Sequence, residues 1–304
     1  MLQPKLESKS TVLNEPLTVH AGALALLAAT LWGGMNISIK VSLDGIPPLA
    51  LAAMRFVIGI AVVLVWTSLN RVPIRMKDGE KRGMVQLALL FVLQIGVLNI
   101  GTHFTLASRS TVLNSTHPFF TAVFAHLFLT GDRLSRLKVI GMSCSFLGVV
   151  VIFSESIAFG DFQYLKGDLL MLSSGMLLGL RLVYTKRLAQ GMHPGKLLVW
   201  QSSLSIPIFF VLSAVFEKDF NYRFDAAVVL GVLYQGVVIA GFCFILWTTL
   251  LRRYMASRLG VFHFVTPVFG VLFSNLLLGE PISYGIIASM VLVGIGIAVV
   301  NSES

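Results

Sequence analysis

The sequence predicts an all-α membrane protein: ten transmembrane helices built as two inverted five-helix repeats, with both termini in the cytoplasm. Three observations predict it. Hydrophobic residues make up 56% of the 304 and charged residues only 12%, half the roughly 25% charged content of a soluble domain. The apolar residues fall in runs long enough to cross a bilayer. The second half of the chain also repeats the first.

A spanning helix needs about 20 mainly apolar residues. Apolar runs between charged or Pro/Gly breaks give His20–Ser42, Pro48–Leu69, Gly83–Leu106, Ser110–Thr130 and Leu137–Phe153 in the first half. The second half gives Gly167–Thr185, Leu197–Phe216, Ala226–Leu251, Ala256–Leu278 and Ile282–Val300. These runs are twice as long as a membrane β-barrel strand and lack its period-two alternation. Residues 1–19 are polar and end in no cleavage site, so the first span is expected to stay as an anchor behind a cytoplasmic tail. Cys144 and Cys243 sit inside apolar runs with no disulfide or metal spacing.

Orientation follows from the basic residues. Of the 23 Lys and Arg, sixteen lie in the N-terminal tail and the segments after spans two, four, six and eight, against four in the alternate segments. The positive-inside rule then puts both termini in the cytoplasm. The same distribution accounts for the net charge of +9 through loops at a membrane surface, with no nucleic-acid partner.

The repeat is visible from Pro118 and again from Pro267: PFFTAVFAHLFLTGDRLSRL against PVFGVLFSNLLLGEPISYG, continuing to the ends of spans five and ten. Pro118 pairs with Pro267, Phe120 with Phe269, Gly131-Asp132 with Gly279-Glu280, and Gly148 with Gly296. More weakly, Gly22–Leu43 pairs with Gly167–Leu188, which aligns Asn36 with Arg181. The units are residues 20–154 and 167–302, joined by an extracytoplasmic linker, 155–166. Each has five spans, an odd number, so the second must enter the membrane from the opposite side. Inverted repeats of this kind underlie alternating access in transporters.

Trp32-Gly33 late in the first span, Pro48 seven residues before Arg55, and the Pro-to-Gly-Asp and Pro-to-Gly-Glu units ending spans four and nine together resemble the drug/metabolite transporter superfamily, within it the ten-helix EamA-like family. The resemblance covers about residues 20–302. It implies a transporter, in bacteria usually an inner-membrane exporter of amino acids or other small metabolites. Asp132, where the family more often has Glu, and the short connection between spans three and four are departures that leave the substrate class open.

Backbone groups in lipid must find partners, so a proline in mid-span needs protein or water beside it. Pro118 and Pro267 are expected to kink their helices and free the carbonyls of Asn114 and His263, four residues earlier. The alternative is a kink steadied by a neighbouring helix. Asn99 and His103, four apart, share one helix face, and His117 can share the face of Asn114. A histidine inside a span is costly without a cavity or partner; interhelical hydrogen bonding is the competing reading of His103. Trp32, Asn36 and Lys40 lie at i, i+4 and i+8, and the matching face of span six carries Arg181, with Tyr184 beside it. Arg181 suits recognition of a substrate carboxylate by a bidentate guanidinium, unless it snorkels to the headgroups, as Lys40 is expected to do. Arg55 reads as a helix-packing or gating charge. Tyr234, Trp247 and Trp200-Gln201 are candidate cavity walls, although aromatic residues in spans more often face lipid.

The 14 Asp and Glu residues lie in tails, loops or span ends, so no intramembrane carboxylate offers a proton relay of the usual kind. Facilitated diffusion is the simpler expectation; otherwise coupling would run through His103, His117 or His263. The chain shows no H-E-x-x-H, G-x-S-x-G or Cys-pair site, and Gly191–Lys196 only imitates a phosphate loop. An enzyme, an ATP-driven pump and a channel lined by polar rings therefore rank below a secondary transporter with no cofactor and no metal. Its expected partners are a small-molecule substrate and the lipid bilayer, and its expected state a monomer or weak homodimer. The expected site comprises Trp32, Asn36, Asn99, His103, Asn114, His117, Arg181, Tyr184, Tyr234 and His263. Export across a bacterial inner membrane is the expected direction, with import of a nutrient, vitamin or nucleotide-like metabolite as the alternative.

Overall fold

Thr18 starts the first helix: its hydroxyl oxygen accepts from the Ala21 N–H at 3.2 Å, a side-chain cap on an otherwise unpaired helix end. In this computed structural model, which describes residues 18–128, 136–158, 162–189, 191–253 and 261–302, the first span is two helices, α1 (Val19–Gly33) and α2 (Met35–Ser42). α3 (Pro48–Leu69) opens on a proline, which fits a first-turn position whose N–H has no partner. A short turn at Asp78–Glu80 leads into α4 (Lys81–Phe104), followed by α5 (Ala107–Asn114), α6 (His117–Phe128) and α7 (Arg136–Ala158). The second half holds α8 (Leu165–Ala189), α9 (Pro194–Phe216) and α10 (Ala226–Leu233), then a π-helical stretch Tyr234–Cys243 and α11 (Phe244–Arg253). A 3-10 turn, Val261–Phe264, precedes α12 (Val265–Leu278), and α13 is Tyr284–Ser302.

Among the described residues, six helical segments are long and apolar enough to cross a membrane: Val19–Ser42, Pro48–Leu69, Asp78–Phe104, Leu165–Ala189, Pro194–Phe216 and Ala226–Leu250. Val139–Ile152, Val265–Leu278 and Tyr284–Gly296 are shorter apolar helices, and the run expected as one span over 110–130 is the pair α5 and α6. The described residues contain no strand. The Gly131-Asp132 half of the repeated motif lies outside the described residues.

Neighbour relations recur between the halves. α1 packs on α12 as α8 packs on α6; α2 packs on α10 as α8 packs on α4; α3 packs on the π stretch as α9 packs on α4. Of the remaining large contacts, α7 with α13 and α3 with α9 join a segment to its own counterpart, and α5 packs on α12. Two glycines let these helices touch. A Cβ on Gly33 would lie 2.9 Å from Phe269 Cβ and 3.0 Å from the Gly270 nitrogen; one on Gly179 would lie 2.8 Å from Phe120 Cβ and 2.7 Å from the Thr121 nitrogen. Phe120 and Phe269 are the paired residues of the repeat, so this contact is made twice. It also corrects the weaker half of the alignment by one residue: Gly33 corresponds to Gly179, and Asn36 is not the counterpart of Arg181.

On α4, Val85, Leu89 and Leu93 are exposed at four-residue spacing, while Ala88, Phe91, Val92 and Ile95 are buried. Apolar side chains thus cover both faces, as a helix between lipid and protein requires. The core runs through Phe56, Phe91 and Phe209, whose rings lie 4.7–6.5 Å apart.

Candidate functional site

Four central segments are irregular, and the irregularities meet. Between α1 and α2, Gly34 leaves room for the Tyr234 hydroxyl, which a Cβ there would approach to 2.7 Å. That hydroxyl donates to the Leu31 carbonyl at 2.6 Å, and Tyr234 opens the π-helical stretch. Between α5 and α6 the chain breaks outright at Ser115-Thr116. Pro118 therefore does not kink a continuous helix, as expected from the sequence, but sits second in a new one, where its missing N–H costs nothing. The Asn114 carbonyl is nevertheless free of the helix ladder, and His117 Nδ1 lies 3.0 Å from it. Pro267 likewise falls in the first turn of α12, with His263 in the 3-10 turn before it.

The rings at this junction come from both halves. Trp32 stacks on His263 (centroids 5.5 Å, planes 24° apart). Trp247 meets both edge-on, at 5.2 Å from Trp32 and 4.4 Å from His263. His117 stands perpendicular to His263 at 5.7 Å.

Asn36, buried, donates from Nδ2 to Thr111 Oγ1 at 3.1 Å, and Thr111 and Asn114 lie three apart on α5. The side-chain oxygens of Asn36 and Asn114 are both buried without a partner among the described residues. The Arg181 guanidinium lies over the Phe91 ring at 4.8 Å; Phe91 meets Phe56 edge-on at 4.7 Å; and Arg55 lies over Phe56 at 4.8 Å. Arg55 donates from Nη1 to Gln235 Oε1 at 3.3 Å, while its Nε has no partner among the described residues. Gln235 in turn donates to the Ser38 carbonyl and Ser42 Oγ, each at 3.0 Å.

Three expected site residues lie elsewhere. Asn99 is fully buried but donates to the Pro48 carbonyl at 2.8 Å, tying α4 to the start of α3. His103, one turn further and so about 6 Å along the axis, is exposed at the end of α4 with its ring against Phe104; sharing a face with Asn99 did not give it the same depth. Tyr184 donates to Gln86 Oε1 at 2.6 Å, beside the separate apolar cluster of Met84, Leu87 and Leu197. Lys40 does not snorkel to headgroups: its ammonium donates to the carbonyls of Thr102, His103 and Thr105 at 2.7–3.1 Å, satisfying the C-terminal carbonyls of α4.

Sequence reasoning missed the charged groups that join the halves at one end of the molecule. Arg109 Nε donates to both oxygens of Asp168, at 3.0 and 3.2 Å, and Thr105 Oγ1 donates to the same carboxylate at 2.6 Å. Asp168 is 0% and Arg109 5% exposed. The two are 59 residues apart, so no local pattern links them; the one hint was a basic residue in a segment otherwise poor in them. Glu280 accepts from the Ala107 and Ser108 N–H groups at 2.7 and 2.9 Å and from Ser108 Oγ at 2.7 Å, capping α5. Gly279 makes this possible. Its φ of 65° ends α12 in a left-handed turn, with Gly279 N–H on the Asn275 carbonyl and Glu280 N–H on that of Ser274, a geometry that suits glycine. Glu217 caps α3 in the same way, accepting from Leu49 and Ala50 at 2.8 and 3.1 Å.

Apolar membrane-crossing helices whose breaks meet around aromatic and polar side chains from two repeated halves define a membrane transporter by build. The chain belongs to the EamA-like transporter family, whose model matches it twice, over residues 21–154 and 165–302. It is similar to the uncharacterised transporter YoaV of Bacillus subtilis, 26% identical over 276 residues, covering 90% of this chain and 94% of that protein. It is also similar to an Escherichia coli protein named "probable amino-acid metabolite efflux pump", 27% identical over 269 residues, covering 85% and 87%. One chain of known crystal structure superimposes with a TM-score of 0.70, covering 93% of this chain and 98% of that one; at 19% identity it shows the shared fold.

Proposed function

We propose that this chain is a secondary transporter, working without ATP, that exports amino acids or related small metabolites across a bacterial inner membrane by alternating access. The observation that carries this reading is the meeting of broken segments from both halves at Trp32, His117, Trp247 and His263. Broken helices offer a substrate backbone groups that intact helices have already paired, and they serve as hinges. In this reading the chain has ten spans, as two inverted units over 20–154 and 167–302 with both termini cytoplasmic. The exchange of neighbours between the halves supports it. Rocking one half against the other would open and close contacts such as Arg109–Asp168 and Glu280 on α5. The substrate meets Asn36, Asn114 and Arg181, with Trp32 and Tyr234 beside its apolar part. The working unit is a monomer or weak homodimer in the bilayer, with no nucleic-acid partner.

Metabolite profiling of cells and spent medium tests this, comparing overexpressed wild type with an Asn114→Leu/His263→Leu double variant at equal membrane abundance. Compounds enriched outside only with the intact protein support export. Enrichment inside the cells would reverse the direction, and equal profiles would refute the site.

A further inference from the structure

α9 and α10 both pack on α3, and the connection between them, residues 217–225, is fixed at its two ends. Glu217 accepts from the first N–H groups of α3, and Asp225 accepts from the Val228 N–H at 2.9 Å, capping α10. Between the two helices lies a groove of about 340 Å³ against α3, within the range of about 300–1,000 Å³ typical of small-molecule sites. The side chains that line it are all apolar. Ile46 and Val232 are buried, whereas Val57, Phe210, Val229 and Leu233 are exposed, so the groove opens on the outside of the helix bundle.

Its depth is defined. Along α3 the lining ends at Ile58, ten residues from Pro48, and along α10 at Leu233, seven from Ala226. At 1.5 Å per residue these are about 15 and 10 Å, no more than half of a hydrocarbon core of about 30 Å. Below that point α3 and the π-helical stretch are in contact. A Cβ on Gly236 would lie 2.6 Å from Ile58 Cβ, and one on Gly59 2.6 Å from Ala240 Cβ. The groove thus spans one leaflet, the outer one in the orientation proposed above.

The chain at its mouth suits the membrane surface. Phe220, Tyr222 and Phe224 form a ladder with centroids 5.8 and 6.2 Å apart, and Phe224 also lines the groove. Aromatic side chains gather at the headgroup level. Arg223 is tied over the outer end of the groove, where its N–H donates to the Gly45 carbonyl at 2.9 Å, next to Ile46. Lys218 and Arg223 are exposed, and neither is in an ion pair among the described residues. Of the three carboxylates in this connection, Glu217 and Asp225 are engaged as helix caps, which leaves Asp219 against the two cations.

We propose that this groove is a binding site for a phospholipid of the surrounding leaflet, with one acyl chain lying against α3 and the phosphate held by Arg223 and Lys218. An apolar slot one leaflet deep with cations at its headgroup end matches that amphiphile along its whole length. The chain then lies against Val232 and Leu233, the residues that lead into Tyr234 and the π-helical stretch.

The test titrates full-length protein, delipidated in detergent, with dioleoylphosphatidylglycerol, read by native mass spectrometry and thermal unfolding. A one-to-one adduct and a raised Tm are expected. Dioleoylglycerol has the same chains without the phosphate, and glycerol phosphate has no chains. Each should bind at least about tenfold more weakly, since charge-assisted hydrogen bonds alone are worth that much. Val229→Trp fills the groove, and each methylene kept out of contact weakens binding roughly fourfold, so the adduct should weaken at least about tenfold. Leu230→Trp, at the adjacent exposed position outside the groove, should bind like wild type, which separates a blocked groove from a misfolded protein. The double variant Lys218→Gln/Arg223→Gln should bring the phospholipid down to the level of dioleoylglycerol. A wild type that prefers neither the phosphate nor the chains, or tryptophan variants that behave alike, would overturn the site. Either result leaves the transporter reading standing, because the metabolite profile is measured independently of these lipids.

Discussion

Asp168→Asn should be among the most destabilising single changes in this protein outside the ring cluster. The replacement keeps the shape of the side chain and an acceptor for Thr105 but removes the carboxylate charge that pairs with Arg109. Because Arg109 is 5% exposed, water cannot replace the carboxylate, and breaking a buried ion pair by removing one partner costs about 3–5 kcal/mol. That corresponds to roughly two to three and a half powers of ten in the unfolding equilibrium. Denaturation in mixed micelles by SDS titration, followed by tryptophan fluorescence and circular dichroism, reads the difference. The companion is the triple change Arg109→Met, Asp168→Leu and Thr105→Val, which removes charges and hydroxyl together and should return stability to within about 1 kcal/mol of wild type, since apolar replacements of buried pairs are commonly neutral or better. An Asp168→Asn protein within about 0.5 kcal/mol of wild type, the range of ordinary surface changes, would mean that Arg109 is hydrated and the burial argument wrong.

Four further outcomes are expected. Gly33→Ala and Gly179→Ala should each cost about 1–3 kcal/mol by forcing backbones apart, whereas Gly294→Ala, whose Cβ meets nothing within 4 Å, should be neutral or slightly stabilising in the same titration. Glu280→Gln removes the charge that caps α5 and should cost about 1–2 kcal/mol; if that contact must open in transport, cysteine accessibility near Ser108 should rise in the variant. Lys40→Met leaves three carbonyls at the end of α4 without their donor, which faster amide exchange over residues 100–106 would report. Tyr234→Phe removes the bond to Leu31 and should slow transport with little loss of abundance, measured as initial flux per folded protein.

The long apolar segments were legible because lipid imposes a length and a composition on every crossing segment, and the repeat was legible because both halves keep the same proline and glycine positions. The arrangement of the candidate site was legible in part. Asn114, His117 and His263 announced themselves as polar residues beside prolines in apolar runs, and the structure brings His117 and His263 into ring contact. His103 and Tyr184 carried the same kind of signal and lie away from the ring cluster, because sharing a helix face fixes direction and not depth.

The sequence by itself determined that this is a helical membrane protein with an internal repeat, since hydropathy, charge placement and self-similarity are written along one dimension. Only the tertiary structure decided which residues pair. Arg109 finds Asp168 across 59 residues, Glu280 reaches α5 across 173, and Arg55 and Arg181 flank one pair of phenylalanines. In a bilayer the outward face of a helix is as apolar as its packed face, as Leu89 and Phe91 on α4 illustrate. The pattern that would reveal the inward face of a soluble helix is therefore missing, and only packing in three dimensions shows which polar groups face one another.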